Sequence, residues 1–116
     1  MRKTDAYRLE RIVKVGDQLA EVVANDGITA KDIAHDLHTQ WLITTPLYNI
    51  GEQAYAVSPE FKEAHPEIPW KAIAGLRHRL VYDYEGTNWS FVAEAVLIEV
   101  PALLSQHVTC WQSLAE

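Results

Sequence analysis

Apolar side chains recur every three or four residues along most of this chain of 116 residues, and this periodicity constrains the fold more than any other feature. The spacing places the apolar groups on one face of an α-helix, whereas a half-buried β-strand would alternate apolar and polar residues. No stretch of the chain reads as alternating strands. The sequence therefore predicts an all-α fold of amphipathic helices that bury their apolar faces against one another.

Capping and turn residues divide the periodic pattern into four main helices. The first is predicted over about residues 5–24, with Asp5 as its N-cap and the Asn-Asp-Gly sequence at 25–27 as its end. The second is predicted as one long helix over about residues 29–57, because the apolar spacing continues through that whole stretch.

Two features of the second predicted helix bear on its structure. Thr29, followed three residues later by Asp32, resembles a capping box in which Asp takes the usual Glu position. Pro46 lies inside the helix, where it is expected to kink the helix or to remove one backbone hydrogen bond.

The second half of the chain predicts two further helices. A proline-punctuated connection at about 58–69 leads into a third helix over about 69–82. A fourth helix begins at Trp89 and has Pro101 near its end, and a short fifth helix could follow around Trp111.

The short connections between the helices favour an up-down bundle, and residues 1–116 are expected to form a single domain. A bundle of this size has limited apolar area to bury. A homodimer that covers one helix face would enlarge that area.

Composition and charge exclude several classes of protein. The formal net charge of -6 argues against a protein that coats nucleic acid without specificity. The charged N-terminus lacks the apolar stretch of a signal peptide, and no run approaches the ~20 apolar residues that span a bilayer. The single cysteine, Cys110, excludes an intramolecular disulfide and suits a reducing compartment. We therefore expect a cytoplasmic protein with no membrane association.

The segment Arg-His-Arg-Leu-Val-Tyr-Asp-Tyr at 77–84 concentrates charged and aromatic residues near the end of the third predicted helix. On an ideal helix Arg77 falls on a stripe that is otherwise apolar. A buried guanidinium needs an anion or several acceptors, and the candidates are Glu52, Asp83 or an external phosphate. In the alternative interpretation, the arginines of this segment pair with surface carboxylates and its tyrosines pack in the core.

Tyr82 lies five residues after Arg77, which is about 140° away around an ideal helix. One copy of the helix therefore cannot easily direct both side chains at one atom. Two copies that face each other across a two-fold axis could do so, and so could an unwound helix end at Tyr82.

From residue 66 onward the chain is similar to the HepT-like branch of the HEPN superfamily. The Pro-Glu-Ile-Pro-Trp sequence at 66–70 matches the start of the family pattern, and the sequences at 73–78 and 80–84 match its two following blocks. The Asn-Ile-Gly-Glu-Gln-Ala sequence at 49–54 resembles the second helix of the family. The helix pattern and the chain length also agree, so that the resemblance covers nearly the whole chain.

This resemblance implies an all-helical bundle that forms a homodimer, with the motif of each subunit lining a shared cleft. It also implies an endoribonuclease toxin that cleaves RNA, such as tRNA or mRNA, without a metal or another cofactor. The partner implied for such a toxin is a minimal nucleotidyltransferase antitoxin.

The family motif consists of an arginine, four further residues, a histidine, one residue and a tyrosine. Arg77 and Tyr84 match the arginine and the tyrosine of this motif. His78 replaces a common asparagine, and Tyr82 stands where the family has its catalytic histidine.

The residue at position 82 bears directly on catalysis. Metal-free RNA cleavage needs a base for the 2′-hydroxyl proton and an acid for the leaving oxygen, and histidine, with a pKa near 6.5, serves at neutral pH. Tyrosine, with a pKa near 10, stays protonated at neutral pH. Losing general acid–base catalysis typically lowers the cleavage rate about 10²–10⁴-fold. We therefore expect impaired cleavage, although Arg77 could still bind the scissile phosphate. An active ribonuclease that uses His78 is the alternative.

The resemblance gives Tyr84 a separate role, because in the family this hydroxyl accepts AMP groups that the partner nucleotidyltransferase transfers. An attached nucleotide beside Arg77 would fill the phosphate site and neutralise its charge. This role does not need the histidine. A non-catalytic module that binds the partner or a nucleotide is therefore an alternative function.

His35 and His38 lie three residues apart and could form half of a metal site, which His65 could join. No matching second pair is evident in the sequence, and histidines on a helix surface are the simpler interpretation. We therefore expect no metal site.

Overall fold

The computed structural model describes residues 3–81 and 88–105, and the regular structure within them is helical. The helices are α1 (Lys3–Asp26), α2 (Ala30–His35), α3 (Leu37–Ala56), α4 (Pro59–Ala64), α5 (Trp70–Val81) and α6 (Trp89–Glu94). A π-helical turn at Ala95–Glu99 continues α6 and leads into a last helical segment at 100–105. The predicted all-α fold is confirmed, whereas the predicted turn around Trp111 lies outside the described residues. Within those residues, no helix has the length and apolar content needed to cross a membrane.

The central helix of the bundle is α3, since it packs against α1, α2 and α5. Helices α1 and α3 run antiparallel. Asp5, near the start of α1, contacts Ser58 just beyond the end of α3, whereas Val15, further along α1, lines the same cavity as Leu42 near the start of α3. Helix α6 packs against α2, and the π-helical turn packs against α1. The most deeply buried large side chains form the core between these elements: Leu9, Ile12, Ile33, Ile43, Leu47, Ile50 and Val92.

The prediction that Asp5 caps α1 is wrong, because α1 begins at Lys3 and Asp5 lies within its first turn. The Asp5 carboxylate is 2% exposed and accepts hydrogen bonds from the Ser58 backbone N–H at 2.9 Å and from the Ser58 hydroxyl at 2.6 Å. These contacts satisfy a carboxylate that would be costly to bury alone. Asp5 therefore ties the start of α1 to the junction between α3 and α4.

The predicted second helix is two helices, because the chain leaves helical geometry at Asp36, with φ -103° and ψ 116°. The Asp36 carboxylate accepts hydrogen bonds from the Thr39 hydroxyl at 2.6 Å and the Thr39 N–H at 3.0 Å, which caps α3 and lowers the pKa of Asp36. The amide of Gln40 bonds the Ile33 carbonyl at 3.0 Å near the end of α2. An Asp that can cap a new helix thus interrupts a periodic pattern that would otherwise continue.

The capping box at Thr29 is confirmed: its hydroxyl accepts from the Asp32 N–H at 3.2 Å, and the Asp32 carboxylate accepts from the Thr29 N–H at 3.0 Å. Pro46 stays inside α3, which remains helical on both sides of it.

The predicted connection after α3 contains a short helix, α4, which sequence periodicity did not indicate. Ser58 caps this helix by accepting the Phe61 N–H at 3.3 Å, and Pro59 occupies its first turn, where no N–H is needed. Phe61 then packs edge-on against Trp70, with ring centroids 6.0 Å apart. The indole of Trp70 donates to the His65 carbonyl at 3.0 Å, so that α4 fixes the start of α5.

Pro101 lies inside the last helical segment, two residues beyond the π-helical turn. A proline cannot donate to the carbonyl four residues earlier, here that of Leu97, and its ring crowds that carbonyl. In the π-helical turn the Val100 N–H bonds the Ala95 carbonyl five residues back, which widens the helix just before the proline.

One face of α3 is apolar but exposed. Trp41, Tyr48 and Tyr55 lie seven residues apart, which places them in one row along the helix, and Trp41 is 60% exposed. Leu37 extends this row towards the start of α3. Helix α3 is therefore apolar on two opposite faces, a pattern that is typical of helices buried on all sides. We call the row Leu37, Trp41, Tyr48 and Tyr55 the outer face of α3.

Candidate functional site

The close approach of α3 and α5 at Gly51 builds the candidate site. A Cβ atom at this position would lie 2.8 Å from the Arg77 backbone nitrogen and 3.1 Å from the Ile73 carbonyl oxygen. Backbone atoms cannot move aside as the end of a side chain can, so only glycine permits this distance. The contact brings Arg77 of α5 beside the last two turns of α3.

The structure brings together Arg77 and Glu52, two of the predicted site residues. Arg77 Nε lies 2.7 Å from Glu52 Oε2, and the Arg77 side chain is 24% exposed. Among the described residues, Glu52 is the ion-pair partner of Arg77, and its carboxylate contacts Nε of the guanidinium. The terminal nitrogens Nη1 and Nη2 form no ion pair with this part of the chain. A planar guanidinium held at Nε can present those two nitrogens to a second anion.

Two buried oxygens on the α3 side of the site lack a hydrogen-bond donor among the described residues. One is Glu52 Oε2, whose short contact with Arg77 Nε is an ion pair but not a well-aligned hydrogen bond. The other is Asn49 Oδ1, one turn earlier on α3. A buried acceptor without a donor costs about 1–3 kcal/mol. Arg77 compensates the charge on Glu52 Oε2, so that Asn49 Oδ1 is the oxygen of this pair that lacks a partner among the described residues.

Tyr55 completes the site, and sequence analysis missed it. Arg77 Cζ lies 4.5 Å from the centroid of the Tyr55 ring, which is cation–π geometry. Lys62 Nζ lies 5.9 Å from the same centroid and donates to the Tyr55 carbonyl at 3.0 Å. Burial lowers the pKa of Lys62, while the charge of Asp5 acts in the opposite direction. The available signal was the position of Tyr55 three residues after Glu52, on the same side of α3.

The remaining predicted site residues are not all described by the structure. His78 follows Arg77 in α5, and only its backbone is described. Tyr82, Asp83 and Tyr84 lie outside the described residues.

The described histidines do not gather with other potential metal ligands. Across residues 3–81 and 88–105, no three side chains of His, Cys, Asp or Glu are placed to hold a metal ion. His65 Nδ1 instead lies 3.2 Å from Glu67 Oε1.

Comparison with known proteins identifies the class to which this helical bundle belongs. Residues 6–108 match the family described as Ribonuclease HepT-like, so the chain belongs to the HepT-like family of the HEPN superfamily. The resemblance seen in the sequence is thereby confirmed. No solved structure matches the chain.

Two relatives match this chain over almost their whole length. A protein of Caldanaerobacter subterraneus subsp. tengcongensis named "Putative RNase TTE0752" is 36% identical over 104 residues, which cover 90% of this chain and 91% of the relative. A protein of Thermococcus cleftensis named "Probable ribonuclease HepT" is 29% identical over 103 residues, 89% of this chain and 92% of the relative.

The Gly51 contact can be tested with a pair of glycine substitutions. Gly51→Ala is expected to lower the free energy of unfolding by about 1–3 kcal/mol, because its Cβ meets backbone atoms that cannot yield. Gly75→Ala is the matched control: no atom lies within 4 Å of its Cβ, and alanine in a helix should stabilise by about 0.5–1 kcal/mol. Urea denaturation measures both. Equal stability of the two variants would contradict the packing described for Gly51.

Proposed function

We propose that this protein is a HepT-like toxin component that binds RNA phosphate at Arg77 and cleaves RNA poorly or not at all. The observation that carries the proposal is the orientation of Arg77. Glu52 pairs with Nε and Tyr55 lies against the guanidinium, so that the group is held in place before any ligand arrives. Such preorganisation suits bidentate binding of a phosphodiester through Nη1 and Nη2.

We further propose that the protein works as a homodimer that covers Leu37, Trp41 and Tyr48 of the outer face of α3 and leaves Tyr55 accessible beside the cleft. In support, the part of the outer face to be covered presents the aromatic side chains of Trp41 and Tyr48. Within α3, His38 and Glu52 are the only residues of the Asp, Glu, Lys, Arg or His types. Apolar surface of this kind is typical of an interface between protein chains. Because Glu52 lies one turn after Tyr48 on α3, two copies would bring two Arg77 sites towards one cleft.

Weak cleavage follows from Tyr82, which has no imidazole to exchange protons at neutral pH. Binding of phosphate by Arg77 does not depend on that group. The protein would therefore retain the RNA site and lose most of the acid–base chemistry. A non-catalytic binding module is the second candidate function, and the same substitution favours it.

Restoring the imidazole tests this proposal. In a cleavage assay on tRNA and mRNA with a metal chelator present, Tyr82→His is expected to cut about 10²–10⁴-fold faster than the natural chain. Adding Arg77→Ala to Tyr82→His should remove this gain, because the phosphate is no longer held. If the natural chain already cuts and His78→Ala stops it, the impaired-cleavage proposal is wrong. If Tyr82→His binds RNA but does not cut, the binding module is the better description.

We propose Tyr84 as the acceptor of AMP from a minimal nucleotidyltransferase antitoxin. Membership of the HepT-like family supports this role, and the charge of a phosphodiester beside Arg77 gives it a physical purpose. A phosphate attached covalently to Tyr84 would compete with RNA for the guanidinium of Arg77.

Mass spectrometry tests the modification directly. Incubation with an active partner nucleotidyltransferase and ATP should add the mass of at least one adenylyl group to the natural chain and none to Tyr84→Phe. The phenylalanine variant keeps the ring and removes only the acceptor hydroxyl. An unchanged mass of the natural chain, or an equal gain by Tyr84→Phe, would refute this assignment.

A further inference from the structure

We propose that Tyr55 is a base-stacking residue, which receives the nucleobase next to the phosphate held by Arg77. This inference rests on the proposed RNA-binding function and specifies its substrate class as single-stranded RNA. It starts from the exposure of Tyr55, which is 59% exposed although Arg77 lies against its ring. An aromatic side chain of the core would be covered, whereas more than half of this residue is open to solvent.

The ring is held in position by its neighbours. The Lys62 ammonium donates to the Tyr55 backbone carbonyl at 3.0 Å, and the Arg77 guanidinium lies 4.5 Å from the ring centroid. The guanidinium is itself paired with Glu52. A ring fixed in this way loses little conformational freedom when a base stacks on it, which favours binding.

Two cations lie near the same ring, and basic groups beside an aromatic ring suit the alternation of phosphate and base along a nucleic-acid strand. Arg77 Cζ and Lys62 Nζ lie 4.5 and 5.9 Å from the Tyr55 centroid. A strand laid across Tyr55 can place one phosphate at Arg77 and a neighbouring phosphate at Lys62. Stacking on aromatic rings between basic groups is the usual way in which proteins bind single strands without reading their sequence.

A stacking role for Tyr55 makes a duplex the poorer ligand. A base can stack on Tyr55 only when it has left its own stack, and bases in single-stranded loops and ends do so at least cost. The net charge of -6 does not exclude RNA at this end of α3, because Arg77 and Lys62 both lie near the ring and Glu52 offsets the charge of one of them.

Binding measurements with matched tyrosine variants test the inference. The probe is a fluorescent oligouridine measured by anisotropy at low salt, and Tyr55→Ala is expected to weaken its binding roughly 5–100-fold, the range for one lost stack. Tyr55→Phe should bind like the natural chain. Tyr7→Ala is the control, because Tyr7 is 58% exposed on α1 and no aromatic–cation contact involves it among the described residues.

A second probe separates stacking from disturbance of the site. On a strand of the same length with abasic residues, Tyr55→Ala should bind like the natural chain, since there is no base to stack. An equal loss on both strands would overturn the inference, because it would mean that the variant damages the phosphate site. Tyr55→Leu, which keeps more of the apolar bulk, should fold normally by circular dichroism and should still lose affinity for oligouridine.

The outcomes also separate this inference from the proposed function. If oligouridine binding needs Arg77 but is unchanged in Tyr55→Ala, the stacking role is wrong and the RNA site stands. If the natural chain binds no RNA at low salt, both proposals fail.

Discussion

The close approach of two helices at one glycine is the constraint on which the site depends. At Gly51 the backbones of α3 and α5 come so near that a single methyl group would lie 2.8 Å from the Arg77 nitrogen. That distance puts Arg77 within reach of Glu52 and Tyr55 on the last two turns of α3. A wider separation of the helices would leave the guanidinium in solvent, where a flexible arginine binds phosphate with a greater loss of side-chain entropy.

Helix α3 serves the fold and the site at once. Its inner side fills the core with Ile43, Leu47 and Ile50, while its outer side carries the exposed aromatic row that ends at Tyr55 beside Arg77. The helix is anchored at its start by the Asp36 cap, and the turn just after it is anchored by the contact between Ser58 and Asp5. A rigid helix fixed at both ends can position polar groups more accurately than a loop can. Because the inner side of α3 supplies the core and the outer side is open to the site, this largely apolar helix can also carry Glu52, the acidic partner of Arg77.

Much of the fold, but less of the site, could be predicted from the sequence. Periodicity predicted the start of α5 within a residue, and the spacing of Thr29 and Asp32 predicted a capping box. Periodicity could not locate the break between α2 and α3 at Asp36, because the apolar spacing continues across it and an Asp that can cap a helix can also lie within one. Nor could it show that Asp5 serves a tertiary contact 53 residues away. Tyr55 was assigned to the apolar pattern of its helix, since spacing alone does not reveal which face a neighbouring helix leaves open.

The central claim is that Arg77 holds RNA phosphate, and the affinity of Arg77→Ala for single-stranded RNA over a series of salt concentrations tests it most directly. A lost charged hydrogen-bonding group is expected to weaken binding roughly 10–100-fold and to make the salt dependence shallower by about one phosphate contact. Lys31→Ala is the control, because Lys31 is an exposed cation on α2, beyond the opposite end of α3. An Arg77→Ala variant that binds RNA with the affinity and salt dependence of Lys31→Ala would contradict the account.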